Sequence, residues 1–127
     1  MNLLLDTHVL LWWLADSGQI AGEPAEAIER ADQIWVSAAS VWEIEIKRAK
    51  GKLISPDDLR WQLAEAGFRE LKISAEHAEE AARLPDQHND PFDRMLIAQA
   101  RIEGLVLMTS DEAILRYQVS THRLGAD

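Results

Sequence analysis

The chain has 127 residues, 47% of them apolar and 28% charged, a composition that folds around a hydrophobic core and excludes intrinsic disorder. Its 22 acidic and 13 basic residues leave a formal charge of −9. That balance excludes a protein that coats nucleic acid by bulk positive charge, but not an enzyme whose acids hold metal ions. Cysteine is absent, so disulfides, thiolate nucleophiles and zinc–thiolate sites are excluded as well.

The longest unbroken apolar run, Val9 to Ala15, has seven residues, far fewer than the roughly 18 that cross a bilayer. No cationic segment precedes it. One domain over residues 1–127, located in the cytoplasm and not in a membrane, is the expectation.

Asn2 to Leu5 is a short apolar run stopped by Asp6, as in a buried parallel strand. His8 to Ala15 suits a helix with its exit at Gly18, and Pro24 opens a second helical stretch over Ala25 to Ala31. Ile34 to Val36 reads as the second strand. Ser37 to Lys50 reads as a helix ended by Gly51, with Val41, Trp42 and Ile46 at core spacing.

Ser55-Pro56-Asp57-Asp58 is a helix-start signal, with Ser55 as N-cap, and that helix is expected to reach Ala66. Glu70 to Ile73 is the third expected strand, followed by a helix capped by Ser74 and running to Leu84. Asp90-Pro91 opens a helix to Glu103, stopped by Gly104. Leu105 to Met108 is the fourth strand, Glu112 to Tyr117 a short helix, and Val119 onward an edge strand. Strands and helices alternate, which predicts an α/β sandwich with a mainly parallel sheet of four or five strands between layers of helices.

Three acids fall in one kind of place on this plan. Asp6 follows the first strand, Asp111 follows the fourth, and Asp93 lies in the first turn of the helix opened by Asp90-Pro91. Open parallel sheets bind ligands outside the carboxyl ends of their strands. Glu43, about one turn into the helix after the second strand, leans toward the same rim. Capping accounts for single acids at such positions, because a helix N-terminus favours negative charge. It does not account for several at one edge, where Ser, Thr or Asn would cap without adding repulsion. A carboxylate cluster persists best around a cation, and a hard ion such as Mg²⁺ or Mn²⁺ prefers oxygen ligands. Such ions suit phosphodiester cleavage, since they acidify water and offset charge on the transferring phosphoryl group.

With these residues placed, the chain resembles a PIN-domain ribonuclease of the VapC toxin type over nearly its whole length. Residues 3–12 (LLLDTHVLLW), 40–47 (SVWEIEIK), 88–99 (HNDPFDRMLIAQ) and 109–111 (TSD) are similar to the family's four blocks. Any one block is weak, but four in order are specific. The resemblance implies a Mg²⁺- or Mn²⁺-dependent endoribonuclease with Asp6, Glu43, Asp93 and Asp111 as its acidic site and Thr109 beside it. It further implies an RNA substrate, a homodimer, and a cognate antitoxin that holds the chain inactive.

Neighbouring residues carry competing readings. Glu45 rivals Glu43, but residues two apart on a helix point in different directions, and Glu45 reads as solvated. Asp90 reads as a helix cap. His8, His77, His88 and His122 are weaker candidates for acid–base or ligand roles. Lys47, Arg48, Lys50 and Lys52 cluster beside Glu43, whereas the first 46 residues carry only Arg30. This patch, with Arg94, either guides RNA phosphates or forms a solvated helix end.

Trp12, Trp35 and Trp42 are placed in the core, and Trp13 and Trp61 on a partner surface. Two other enzyme or binding classes fit less well. A haloacid-dehalogenase-type phosphatase needs an acid where His8 stands, and a phospho-acceptor receiver needs a Lys after a late strand. A non-catalytic RNA- or protein-binding domain of the same fold is the remaining alternative.

Overall fold

The computed structural model describes residues 1–15, 23–85, 89–109, 111 and 121–123. In chain order the elements are β1 (Asn2–Leu5), α1 (Thr7–Ala15), α2 (Glu23–Arg30), β2 (Gln33–Ser37), α3 (Ala38–Ala49) and α4 (Leu59–Glu65). They continue with β3 (Arg69–Leu71), α5 (Ala75–Arg83), α6 (Pro91–Glu103), β4 (Val106–Thr109) and β5 (Thr121–Arg123). The strands form one sheet in the order β3-β2-β1-β4-β5, and each neighbouring pair is parallel. The expected helix at 112–117 lies outside the described residues, and the expected edge strand is realised as β5.

Side chains of a strand alternate between the two faces of its sheet, and that alternation divides the core. Leu3, Leu5, Val36 and Met108 face one way, into a cluster with Val9 and Leu10 of α1, Ala27 and Ile28 of α2, Ile44 of α3, and Leu59 and Leu63 of α4. Leu4, Leu71 and Leu107 face the other way, against Leu84 and against Leu96, Ile97 and Ala100 of α6. The result is the expected three-layer arrangement.

Local chemistry sets the helix ends. Asp90 accepts hydrogen bonds from the backbone N–H groups of Phe92 (2.9 Å) and Asp93 (3.3 Å), with Pro91 in the first turn of α6. Gly104 ends the same helix in the left-handed region at φ 68°, where a side chain would be strained. Ser74 caps α5 through a reciprocal pair: its hydroxyl accepts from the His77 N–H, and its own N–H donates to His77 Nδ1. Since Nδ1 is an acceptor, the ring proton sits on Nε2 and faces Glu103 Oε2 at 2.8 Å, tying α5 to α6.

Several expectations need correction. α4 begins at Leu59, and Ser55 does not cap it; its hydroxyl is buried and has no partner among the described residues. The ion pair of Arg48 with Asp57 and the burial of Leu59 and Leu63 outweigh the start signal. Trp42, placed in the core from its spacing, is 62% exposed and meets Phe92 edge-on, with ring centroids 5.3 Å apart. Val41 and Ile44 take the inward stripe of α3 instead. Trp13, placed on a partner surface, packs on Phe68 at 4.7 Å. Trp12 and Trp35 are partly buried against the two clusters, and Trp61 is exposed as expected.

Leu96 is fully buried in the second cluster. Leu96→Ala is expected to lower unfolding stability by about 2–5 kcal/mol, measured as a lower denaturant midpoint at unchanged slope.

Candidate metal centre

The order β3-β2-β1-β4-β5 makes β1 the strand where the chain's course reverses, since β2 lies on one side of it and β4 on the other. Ligands of open parallel sheets bind at such a switch point, outside the carboxyl ends of the strands. Leu5 pairs with Met108 in register, so the next residues, Asp6 and Thr109, emerge side by side.

Asp6 is 3% exposed, and both of its carboxylate oxygens are engaged. Oδ1 accepts from the Val9 backbone N–H at 2.8 Å, which caps α1, and Oδ2 accepts from the Thr109 hydroxyl at 2.5 Å. The Thr109 oxygen in turn accepts from the Asp111 N–H at 3.0 Å. Thr109 thus binds Asp6 to the residue that carries the second acid. Burial is the largest influence on the Asp6 carboxyl and pushes its pKa up. The bonds from Thr109 and Val9 and the nearby His8 oppose the rise, while the Asp111 charge adds to it. A carboxylate buried beside another acid is favoured in its charged form by a nearby cation.

Glu43 is 6% exposed on α3. Its Oε2 accepts from Lys47 Nζ at 2.9 Å, while its Oε1 is buried without a partner among the described residues. Glu45, the rival two residues on, is exposed and lies 3.8 Å from Arg48, so the helical phase separates them as expected. The Thr7 hydroxyl donates to Ser40 Oγ at 3.0 Å inside the core and fixes α1 to α3. This hydroxyl pair was not singled out from the sequence; Ser40 at the head of the second block was the available signal. Asp93 is half-buried in the first turn of α6, and α6 packs against α3.

Asp6, Thr109 and Asp111 are therefore brought together directly, whereas Glu43 stands on α3 and Asp93 on α6, two helices that pack against each other. Among the described residues no three acidic or histidine side chains are close enough to share an ion. Asp6 and Glu43 have each taken an internal donor instead. The donor set nevertheless fits a hard divalent cation, because a bare buried oxygen on Glu43 and a desolvated carboxyl at Asp6 both gain from one.

The basic candidates separate by partner. Lys47 is paired with Glu43, and Arg48 with Glu45 and Asp57. Lys50 and Lys52 are exposed at the end of α3. The Arg94 guanidinium donates to the carbonyls of Ala81 (2.9 Å), Leu84 (2.8 Å) and Pro85 (3.1 Å), where α5 ends. The last carbonyls of a helix have no partner within it, and by reaching those at and just beyond the end of α5 Arg94 closes that helix. His8 is exposed, His77 serves the α5 cap, His88 lies outside the described residues, and the side chain of His122 is not among those described.

The PIN domain family model matches residues 3–119. The chain belongs to the PIN-domain family. It is 34% identical over 117 residues to Ribonuclease VapC22 of Mycobacterium tuberculosis, covering 89% of each chain. Its fold is similar to VapBC2 from Rickettsia felis bound to a promoter DNA fragment (TM-score 0.73, 13% identity, 97% and 98% of the chains covered). DNA-bound VapBC from Salmonella typhimurium matches it as well (TM-score 0.73, 14% identity, 98% of each chain covered). Among the described residues of this PIN domain, no helix is long and apolar enough to cross a membrane.

Two outcomes test these assignments. The folded Asp6 carboxyl holds its proton to higher pH than the unfolded one, whose value is 3.8. The metal-free PIN domain therefore loses stability as pH rises from 3.8 toward the raised folded value, and the loss persists above it. Asp6→Asn removes this penalty, so its melting temperature in chelator at pH 7 is expected to match or exceed the wild type, with the gap closing near pH 4. Arg94→Met removes the guanidinium that donates to the Ala81 and Leu84 carbonyls and is expected to cost about 1–3 kcal/mol in a denaturant titration; an unchanged midpoint would return Arg94 to the substrate-contact reading.

Proposed function

We propose that this PIN domain is the toxin of a toxin–antitoxin pair, an endoribonuclease that depends on a divalent metal, Mg²⁺ or Mn²⁺. The observation that carries the reading is the Asp6–Thr109–Asp111 hydrogen-bond chain at the switch point, with Asp6 and Thr109 buried; a buried Glu43 on α3, with one oxygen bare among the described residues, supports it. The kinship to a ribonuclease over most of both chains supplies the reaction class.

Asp6, Glu43, Asp93 and Asp111 would hold the metal. When bound, it supplies a more acidic water and offsets charge on the phosphoryl oxygens during cleavage. The chain's own groups do the positioning. Thr109 fixes the Asp6 carboxylate by donating to one oxygen and orients Asp111 through its backbone. The α1 N-terminus aims its free N–H groups at Asp6 and softens the repulsion among the acids. Burial of Asp6 and Glu43 removes competing water, which strengthens every charge interaction at the site. Lys50, exposed at the end of α3, gives the acidic chain a local positive charge for the RNA backbone, and Lys47 and Arg48 beside it add to that charge when RNA displaces their acid partners. Arg94 has the weakest case among these basic residues, since the α5 carbonyls hold its guanidinium.

One domain over residues 1–127, located in the cytoplasm, a homodimer and an antitoxin partner complete the reading. The exposed Trp42, Ile54 and Trp61 offer the aromatic and apolar surface that protein partners use.

The test is incubation of the purified chain with structured RNAs, with Mn²⁺, with Mg²⁺ and with chelator. Cleavage is expected only with metal. Loss of an outer partner of a metal site typically costs 10–100-fold, so direct ligands should cost more. Asp6→Asn, Glu43→Gln and Asp93→Asn are each expected to reduce cleavage about a hundredfold or more. Cleavage in chelator, or full activity in Asp6→Asn, would overturn the proposal.

A further inference from the structure

We infer that Lys47 is a built-in counter-cation for Glu43 which an incoming divalent ion must displace, so that this one side chain sets the metal concentration at which the site loads. The inference rests on the reading of Glu43 as a metal ligand. Lys47 stands one helical turn after Glu43, with Nζ 2.9 Å from Oε2; its side chain is 42% exposed, against 7% for the acid. The buried partner is thus the carboxylate and the mobile partner is the ammonium, whose head is well hydrated and whose stem is flexible.

The second oxygen, Oε1, is buried and bare among the described residues, so the ammonium compensates the charge of Glu43 without satisfying both of its oxygens. A divalent ion that takes Glu43 shares one small carboxylate with Lys47. The two cations then lie within a few ångströms of each other at a half-exposed position, where repulsion between a double and a single charge is reduced by solvent but still opposes joint occupancy of one carboxylate. Lys47 also restrains the Glu43 rotamer, which helps any ligand to that acid. Ion pairs at this helical spacing are weak, so repulsion outweighs the restraint. Once displaced, the ammonium remains beside the acids on its half-exposed stem, where the charge of a phosphodiester has to be met.

The experiment is a calorimetric Mn²⁺ titration of the chelator-stripped chain and of Lys47→Met, Lys47→Gln and Lys47→Arg. Both neutral variants are expected to bind Mn²⁺ at least fivefold more tightly than wild type, and the Arg variant to bind like wild type. Gln keeps a donor for Oε2 but removes the charge, which separates repulsion from orientation. The metal-free Met variant is also expected to melt at a lower temperature, because it leaves the buried carboxylate without its cation.

Weaker binding in Lys47→Met together with wild-type binding in Lys47→Gln means that Lys47 only orients Glu43, and overturns the inference. Equal affinity in all four proteins overturns it too. In that case, Mn²⁺ binding by wild type that is lost in Asp6→Asn and Glu43→Gln leaves the metal-site reading standing. A wild-type chain that takes up no Mn²⁺ at millimolar concentration overturns both.

Discussion

The hydrogen bond from Thr109 to Asp6 joins residues 103 positions apart in sequence, and it exists only because β1 and β4 run parallel in the register that pairs Leu5 with Met108. Shift either strand by one residue and Asp6 would face the wrong side of the sheet, since strand side chains alternate. The same carboxylate caps α1, so one group closes the sheet's switch point, starts the first helix and supplies a candidate metal ligand. Structure and chemistry are coupled there to an unusual degree. The cost is a buried acid beside another acid, opposed by two donors, a nearby histidine and the positive end of a helix.

A second coupling links the helices that carry the other acids. The buried Thr7–Ser40 hydroxyl pair holds α1 to α3, and the Trp42–Phe92 contact spans α3 and α6. Neither involves a charged group, so both persist whatever the state of the carboxylates. Behind them, α5 and α6 are locked by His77, which reaches Ser74 through one ring nitrogen and Glu103 through the other. Arg94 adds four carbonyl contacts at the end of α5. The candidate acids therefore sit on a frame whose polar fastenings are mostly independent of them.

Much of this was readable from residues alone. Apolar runs ended by acids marked β1 and the carboxyl rim, and Asp90-Pro91 with Gly104 bracketed α6 almost to the residue, because caps depend on nearby atoms. Helical phase separates Glu43 from Glu45, with one acid buried and the other exposed. What failed was decided at a distance. The start of α4 follows the burial of Leu59 and the ion pair of Arg48 with Asp57, which no local signal near Ser55 contains. Trp42 sits on a face that looks apolar in sequence yet becomes a bridge to Phe92, a residue 50 positions away. The partners of Arg94 were equally out of reach, since charge patterning shows where cations lie but not whether the fold has already engaged them, whereas the Glu43–Lys47 pair stands at a helical spacing that the sequence displays.

The two rings of that bridge have a geometric consequence. Each immediately precedes an acid, Trp42 before Glu43 and Phe92 before Asp93, so the gap between those two backbone segments is set by the thickness of an aromatic pair. A spacer of rigid rings holds its width when neighbouring loops lengthen, shorten or change composition. Surface segments around the rim can therefore diverge, for instance to suit different RNAs, while the separation of the two acid-bearing helices stays the same.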